Sequence, residues 1–92
     1  MKEKILLRSA DGYIIEEVDA KKCAYDEEAF INRSNGGLWA VTDRKTGLYI
    51  VTAKTLKLLE ENYNSRKERL LEIRKGHSYK LMVEKFEKLK AL

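Results

Sequence analysis

The spacing of apolar residues changes once along this chain, near Thr55, and no other feature limits the fold as strongly. Before Thr55 the apolar residues come in short runs separated by turn residues; after it they recur at helical intervals. Side chains alternate faces in a strand and return every ~3.6 residues in a helix, so this order predicts a strand-rich half followed by a helical half. That is an α+β arrangement, not a series of alternating βαβ units. At 92 residues the chain suits one core, so 1–92 is read as a single α+β domain, mainly β over 1–54 and helical over 55–92.

Two hairpins are expected in the first half. Ile5-Leu6-Leu7-Arg8 and Tyr13-Ile14-Ile15-Glu16-Glu17-Val18 flank Ser9-Ala10-Asp11-Gly12, and Asp-Gly tolerates the positive φ that tight turns need. Leu38–Thr42 and Leu48–Thr52 are β-branched and aromatic, and Asp43-Arg44-Lys45-Thr46-Gly47 between them reads as a type I turn closed by a glycine bulge. A five-residue loop there would put Trp39 and Tyr49 on one face of the sheet; a four-residue loop would put them on opposite faces. The join from Ala20 to Gly37 has two readings. Asp26-Glu27-Glu28-Ala29-Phe30-Ile31 opens a short helix with Asp26 as N-cap, or the stretch is a structured loop.

Thr55 is the expected N-cap of the helical half. Leu56, Leu59, Tyr63, Leu70 and Ile73 share one helical face, and Tyr79, Met82, Phe86 and Leu89 share another beyond Gly76-His77-Ser78. Asn62-Tyr63-Asn64-Ser65 are weak helix formers followed by capping-box spacing, which would restart the helix. The expectation is a four-stranded antiparallel sheet from two hairpins, with two C-terminal helices, or three, packed on it to give the sheet a core.

Cys23 is the only thiol and His77 the only imidazole, so no internal disulfide and no cysteine-based zinc cluster can form. The N-terminal apolar run, Ile5-Leu6-Leu7, falls short of the roughly 7–15 residues of a signal peptide. No stretch approaches the roughly 20 apolar residues of a membrane span. A cytoplasmic protein without membrane contact is expected.

Converging reactive groups are not visible. A Cys23–His77 pair has no glycine elbow or helix start beside the cysteine, and a lone cysteine usually packs as a small hydrophobe. Glu16 and Glu17 point to opposite faces of a strand, and Asp26-Glu27-Glu28 reads as a helix start rather than a metal or acid–base site. Neither phosphate-loop glycine pattern occurs. No enzyme, cofactor or metal site is expected.

Binding is then the remaining role. The net charge of +4 lies entirely beyond residue 54, where ten Lys and Arg face six acids. Candidate partner contacts are Arg66, Lys67, Arg69, Arg74 and Lys75 on the helical half, with Arg44, Lys45, Trp39 and Tyr49 on the second hairpin. Pairs such as Glu84–Lys88 and Arg69–Glu72 have helical ion-pair spacing, the mark of a solvated face. Basic side chains beside aromatic rings also suit single-stranded nucleic acid. Trp39, Thr46-Gly47 and Thr55-Leu56-Lys57 resemble in rhythm the arm-type DNA-binding domains of tyrosine recombinases over less than a quarter of the chain. The extra strand those domains place before their helix and their denser basic content are missing, and membership is not assigned.

Leu81, Val83 and Leu92 fall off the stripe that contains Phe86, and these four residues are the expected interface with a second copy or another protein. The leading expectation is a small non-enzymatic interaction protein: an inhibitor, adaptor or regulator, a class that includes phage and mobile-element accessory proteins. The alternative is a nucleic-acid-binding module using the basic helix 66–75 or the Trp39/Tyr49 hairpin.

Overall fold

The structure is a computed structural model describing residues 1–92. Five antiparallel strands lie side by side in chain order: β1 (Lys2–Ser9), β2 (Gly12–Lys22), β3 (Ala29–Arg33), β4 (Trp39–Asp43) and β5 (Tyr49–Ala53). Two helices follow, α1 (Leu56–Arg74) and α2 (His77–Lys90). The α+β class and the C-terminal helix pair stand as expected, but the sheet has five strands instead of four.

The added strand is β3, in the segment read as a helix or loop. Asp26 Oδ1 does accept from the Glu28 amide at 2.9 Å, the contact that suggested an N-cap. Here it closes a turn that leads into a strand. Ala29, Phe30, Ile31 and Asn32 are all buried, so both faces of β3 are covered, and a strand covered on both faces shows a continuous run instead of alternation. β3 lies between the two expected hairpins and joins them into one sheet, pairing with β2 on one side and β4 on the other.

The β4–β5 turn closes where expected. The Gly47 amide donates to the Asp43 carbonyl at 2.8 Å and the Asp43 amide to the Leu48 carbonyl at 2.9 Å. Gly47 has φ of 70°, and a Cβ there would lie 2.7 Å from the Phe86 ring and 2.9 Å from the Leu6 nitrogen. Both conformation and space require glycine. Pairing runs Trp39 to Ala53, Ala40 to Thr52 and Val41 to Val51, then jumps to Thr42 opposite Tyr49, which leaves Ile50 as the extra residue of a bulge. Neighbours Val41 and Thr42 point to opposite faces, so Trp39 and Tyr49 do as well.

α1 is one helix. Thr55 Oγ1 accepts from the Leu58 amide at 3.2 Å, as its capping role requires. The weak stretch 62–65 stays helical because its side chains are tied down. Tyr63 is buried, Asn62 Nδ2 donates to the Thr52 carbonyl at 3.3 Å, and Ser65 Oγ bonds back to the Asn62 carbonyl. Tertiary contact here outweighs propensity differences of a few tenths of a kcal/mol per residue, on the order of 0.5.

Leu59, Tyr63 and Leu70 of α1 cover one sheet face, packing with Cys23, Ala29, Ile31, Val41, Val51 and Ala53. The other face, carrying Phe30, Asn32, Ala40 and Thr42, is sealed by the β1–β2 hairpin. β2 is the pivot: its early residues pair with β1, and only Ala20, Lys21 and Lys22 pair with β3. The hairpin curls across the sheet until the Leu6 amide donates to the Gly47 carbonyl at 2.8 Å. Glu3 of β1 meets Arg44, whose guanidinium lies 5.7 Å over the Phe30 ring. α2 follows on this side, its Phe86 against Gly47 and Leu6. No helix is long and apolar enough to cross a membrane.

Candidate functional site

α1 crosses the sheet beside β5 and leaves a groove along that strand's outer edge. At one end the groove is polar, lined by Tyr49 to Thr52, Asn62, Ser65 and Arg66. Toward the C-terminal end of α1 it becomes apolar, a cleft of about 320 Å³ between Leu48, Tyr49 and Ile50 on the sheet, Leu70 and Ile73 on α1, and Met82 on α2. Ile73 stands half exposed there, although it lies on the helical stripe expected to be buried. α2 leans on the β1–β2 side through Phe86 instead of closing over it.

Arg66 and Arg69 line this groove, one helical turn apart. Neither forms an ion pair; the expected Arg69–Glu72 and Glu84–Lys88 pairs do not close, and on α2 only Glu87–Lys90 does, at 3.1 Å. Both guanidinium groups therefore remain free for an external carboxylate or phosphate, which Arg can grip with two parallel hydrogen bonds.

Asp43, Thr46 and Tyr79, which line one part of the apolar cleft, belong to a buried polar cluster that sequence reasoning missed. Arg74, expected on the surface, has only 11% of its side chain exposed and lies between two aspartates. It donates to Asp26 Oδ2 at 2.9 Å and to Asp43 Oδ1 at 2.8 Å, with Glu28 at 3.4 Å. Tyr63 donates to Asp26 at 2.8 Å and Tyr79 to Asp43 at 2.9 Å, while Thr46 donates to Asp43 through both its amide and its hydroxyl. Burial opposes the charge on Arg74, but the hydrogen bonds to Asp26 and Asp43 outweigh it and raise its pKa further. Burial alone would raise the Asp26 pKa; the bonds from Arg74, Tyr63 and the Glu28 amide overcome that and hold it below the ordinary carboxylate value. Burial, then the aspartate each one faces, pushes the hydroxyls of Tyr63 and Tyr79 well above their usual value. The signal lay in the helical stripe: Arg74 is four residues beyond Leu70, on the buried side of α1, where an arginine requires carboxylate partners.

Carboxylates from separate elements thus converge, but on an arginine. No group of three or more His, Cys, Asp or Glu side chains is positioned to hold a metal ion. Cys23 is buried in the α1 core, where burial pushes its thiol pKa up, whereas His77 is exposed at the start of α2; no hydrogen bond joins them.

The remaining sequence candidates separate into available and engaged residues. Lys67 and Lys75 are exposed without ion pairs, and Lys45 makes one loose contact with Glu28 at 3.5 Å. Arg44 is engaged inside the fold by Glu3 and by the Glu27 carbonyl. Trp39 is half buried on the α1 face beneath Arg33 at 4.1 Å and Lys21 at 5.1 Å. Tyr49 is on the other face, where burial and then Glu16 raise its hydroxyl pKa, so the two aromatics form no common platform. Of the expected interface, Leu81 and Leu92 are exposed and Val83 is half buried, but Phe86 is 1% exposed and belongs to the interior. It is withdrawn because its ring packs against Gly47, in the space that a Cβ there would occupy.

The class defined by these features is a five-stranded antiparallel meander with two C-terminal helices and a groove at its last strand. Compared with known proteins, the chain matches no family model, no curated protein and no solved structure.

Proposed function

We propose that this chain is a non-enzymatic interaction protein, of the inhibitor, adaptor or regulator kind, that binds a protein partner in the groove between α1 and β5. One observation carries the reading: two arginines without ion pairs line an apolar cleft beside an open strand edge. Isolated apolar side chains on a surface need no explanation, but a groove with free charge at its rim is what partner surfaces use. The unpaired, buried Cys23 suits a reducing compartment such as the cytoplasm.

Nucleic acid is the weaker reading on geometry. Trp39 and Tyr49 are on opposite faces, the sheet face away from α1 is covered, and Arg74 is engaged by Asp26 and Asp43. A homodimer through α2 loses its central residue, Phe86.

The test is affinity capture from nuclease-treated host extract with the wild type and with an Arg66→Glu/Arg69→Glu variant. A specific protein retained by the first and lost from the second supports the groove. Equal capture by both moves the site elsewhere. Retention on a DNA or RNA column that falls steeply with salt, with no protein captured, replaces the reading with nucleic-acid binding.

A further inference from the structure

We infer that the groove takes an extended acidic peptide, which joins the sheet as a sixth strand on the outer edge of β5; this rests on the protein-binding reading above. The Thr52 carbonyl faces away from β4, because it accepts from Asn62 Nδ2 at 3.3 Å. In an antiparallel strand the amide and carbonyl of one residue point the same way and alternate along the chain. Thr52 therefore presents both groups outward. Ile50, the bulge residue, has no partner on β4. The long Asn62 bond places a side-chain amide where the N–H of an added strand would lie. Open strand edges of this kind are templates for strand addition, with main-chain bonds supplying affinity and alternate side chains specificity.

Charge chooses the occupant. Asp43, the one acid lining the cleft, has both oxygens engaged internally by Arg74, Tyr79 and Thr46. The free charges facing the groove are Arg66 and Arg69. Acidic residues at alternate positions of an extended peptide share one side, about 6.7 Å apart. Arg66 and Arg69 are separated by a rise of about 4.5 Å, a difference their long side chains span. An apolar residue following the acids would enter the cleft between Leu48, Leu70, Ile73 and Met82. A second copy pairing β5 to β5 about a two-fold axis would bring the same arginines of both copies into one groove, and like charges directly opposed disfavour it.

The probes are two capped synthetic peptides, Glu-Val-Glu-Val-Leu and Lys-Val-Lys-Val-Leu, each flanked by glycines and titrated onto the intact protein. Fluorescence anisotropy measures affinity, and amide hydrogen exchange locates contact. The acidic peptide should bind and the basic one should not, with new exchange protection at Ile50 and Thr52. Arg66→Glu with Arg69→Glu should weaken binding about tenfold or more. Thr52→Pro should abolish it by removing the outward amide, a substitution an edge strand tolerates. The inference is overturned by equal binding of the two peptides, by protection away from β5, by protection of β5 without peptide in a protein that scatters light as a dimer, or by no binding up to about 1 mM. In that last case, a host protein still captured through Arg66 and Arg69 preserves the groove while strand addition falls; loss of both removes the groove as well.

Discussion

Arg74 keeps its charge in the interior because Asp26, in the turn between β2 and β3, and Asp43, at the end of β4, both reach it, and each aspartate is also bonded by a tyrosine hydroxyl. Removing one member of such a cluster exposes the others to an uncompensated burial cost. Arg74→Met should lower unfolding free energy by about 3–5 kcal/mol in urea titrations, since it leaves two buried carboxylates without their cation. Gly47 is constrained differently, by its φ of 70° and by the Phe86 ring beneath it. Gly47→Ala should cost about 2 kcal/mol or more, combining left-handed strain with overpacking; the same urea titrations would read it. The role of Arg74 was partly legible from its place on the buried stripe of α1. That of Asp43 was not, because an aspartate opening a turn has the same sequence signature whether its second oxygen faces water or an arginine from a helix thirty-one residues later.

The helices divide along similar lines. The start of α1 is locally encoded: Thr55→Ala should lose about 1 kcal/mol, read by thermal unfolding, because only the Thr55 hydroxyl caps the Leu58 amide. Its continuity through 62–65 is not local, since Asn62 and Tyr63 hold that turn by contacts to the sheet. For α2 the apolar stripe identified the inward side, but not which off-stripe residues stay exposed. Phe86→Ala should destabilise by about 3–5 kcal/mol, whereas Leu81→Ala should fall within about 0.5 kcal/mol of wild type. Chemical denaturation of the pair would show whether Phe86 is core and Leu81 surface. β3 escaped the sequence reading because a strand buried on both faces shows no alternation, and the side-chain contact closing the Asp26 turn also opens helices.

At the scale of the whole molecule, one buried ion cluster joins the sheet, the end of α1 and the start of α2, so stability should depend on pH through it. The folded-state pKa of Asp26 is depressed. Its contribution is therefore fully present above the ordinary aspartate pKa of about 3.9 and is lost as pH falls through the lower folded value. Tyr63 and Tyr79 are raised, so their contribution is present below the ordinary tyrosine pKa of about 10 and is lost as pH rises beyond it. Urea midpoints followed by Trp39 fluorescence should be flat between these limits and fall on both sides. In Arg74→Met the acid limb should vanish or reverse, because a buried Asp26 without its cation favours the protonated form. A persistent acid limb in that variant would place the acid sensitivity elsewhere.

By itself the sequence determined the α+β class, the second hairpin and its glycine turn, the Thr55 cap and the helix break at Gly76, all set by contacts within a few residues. Tertiary structure alone decided the fold-over of the β1–β2 hairpin, the fifth strand, the opposite placement of Trp39 and Tyr49, and which arginines are buried and which free. Those outcomes depend on one inserted residue in the β4–β5 register and on side chains far apart in the chain meeting in a low-dielectric interior. Local composition carries no record of such meetings, and the groove at β5 exists because of them.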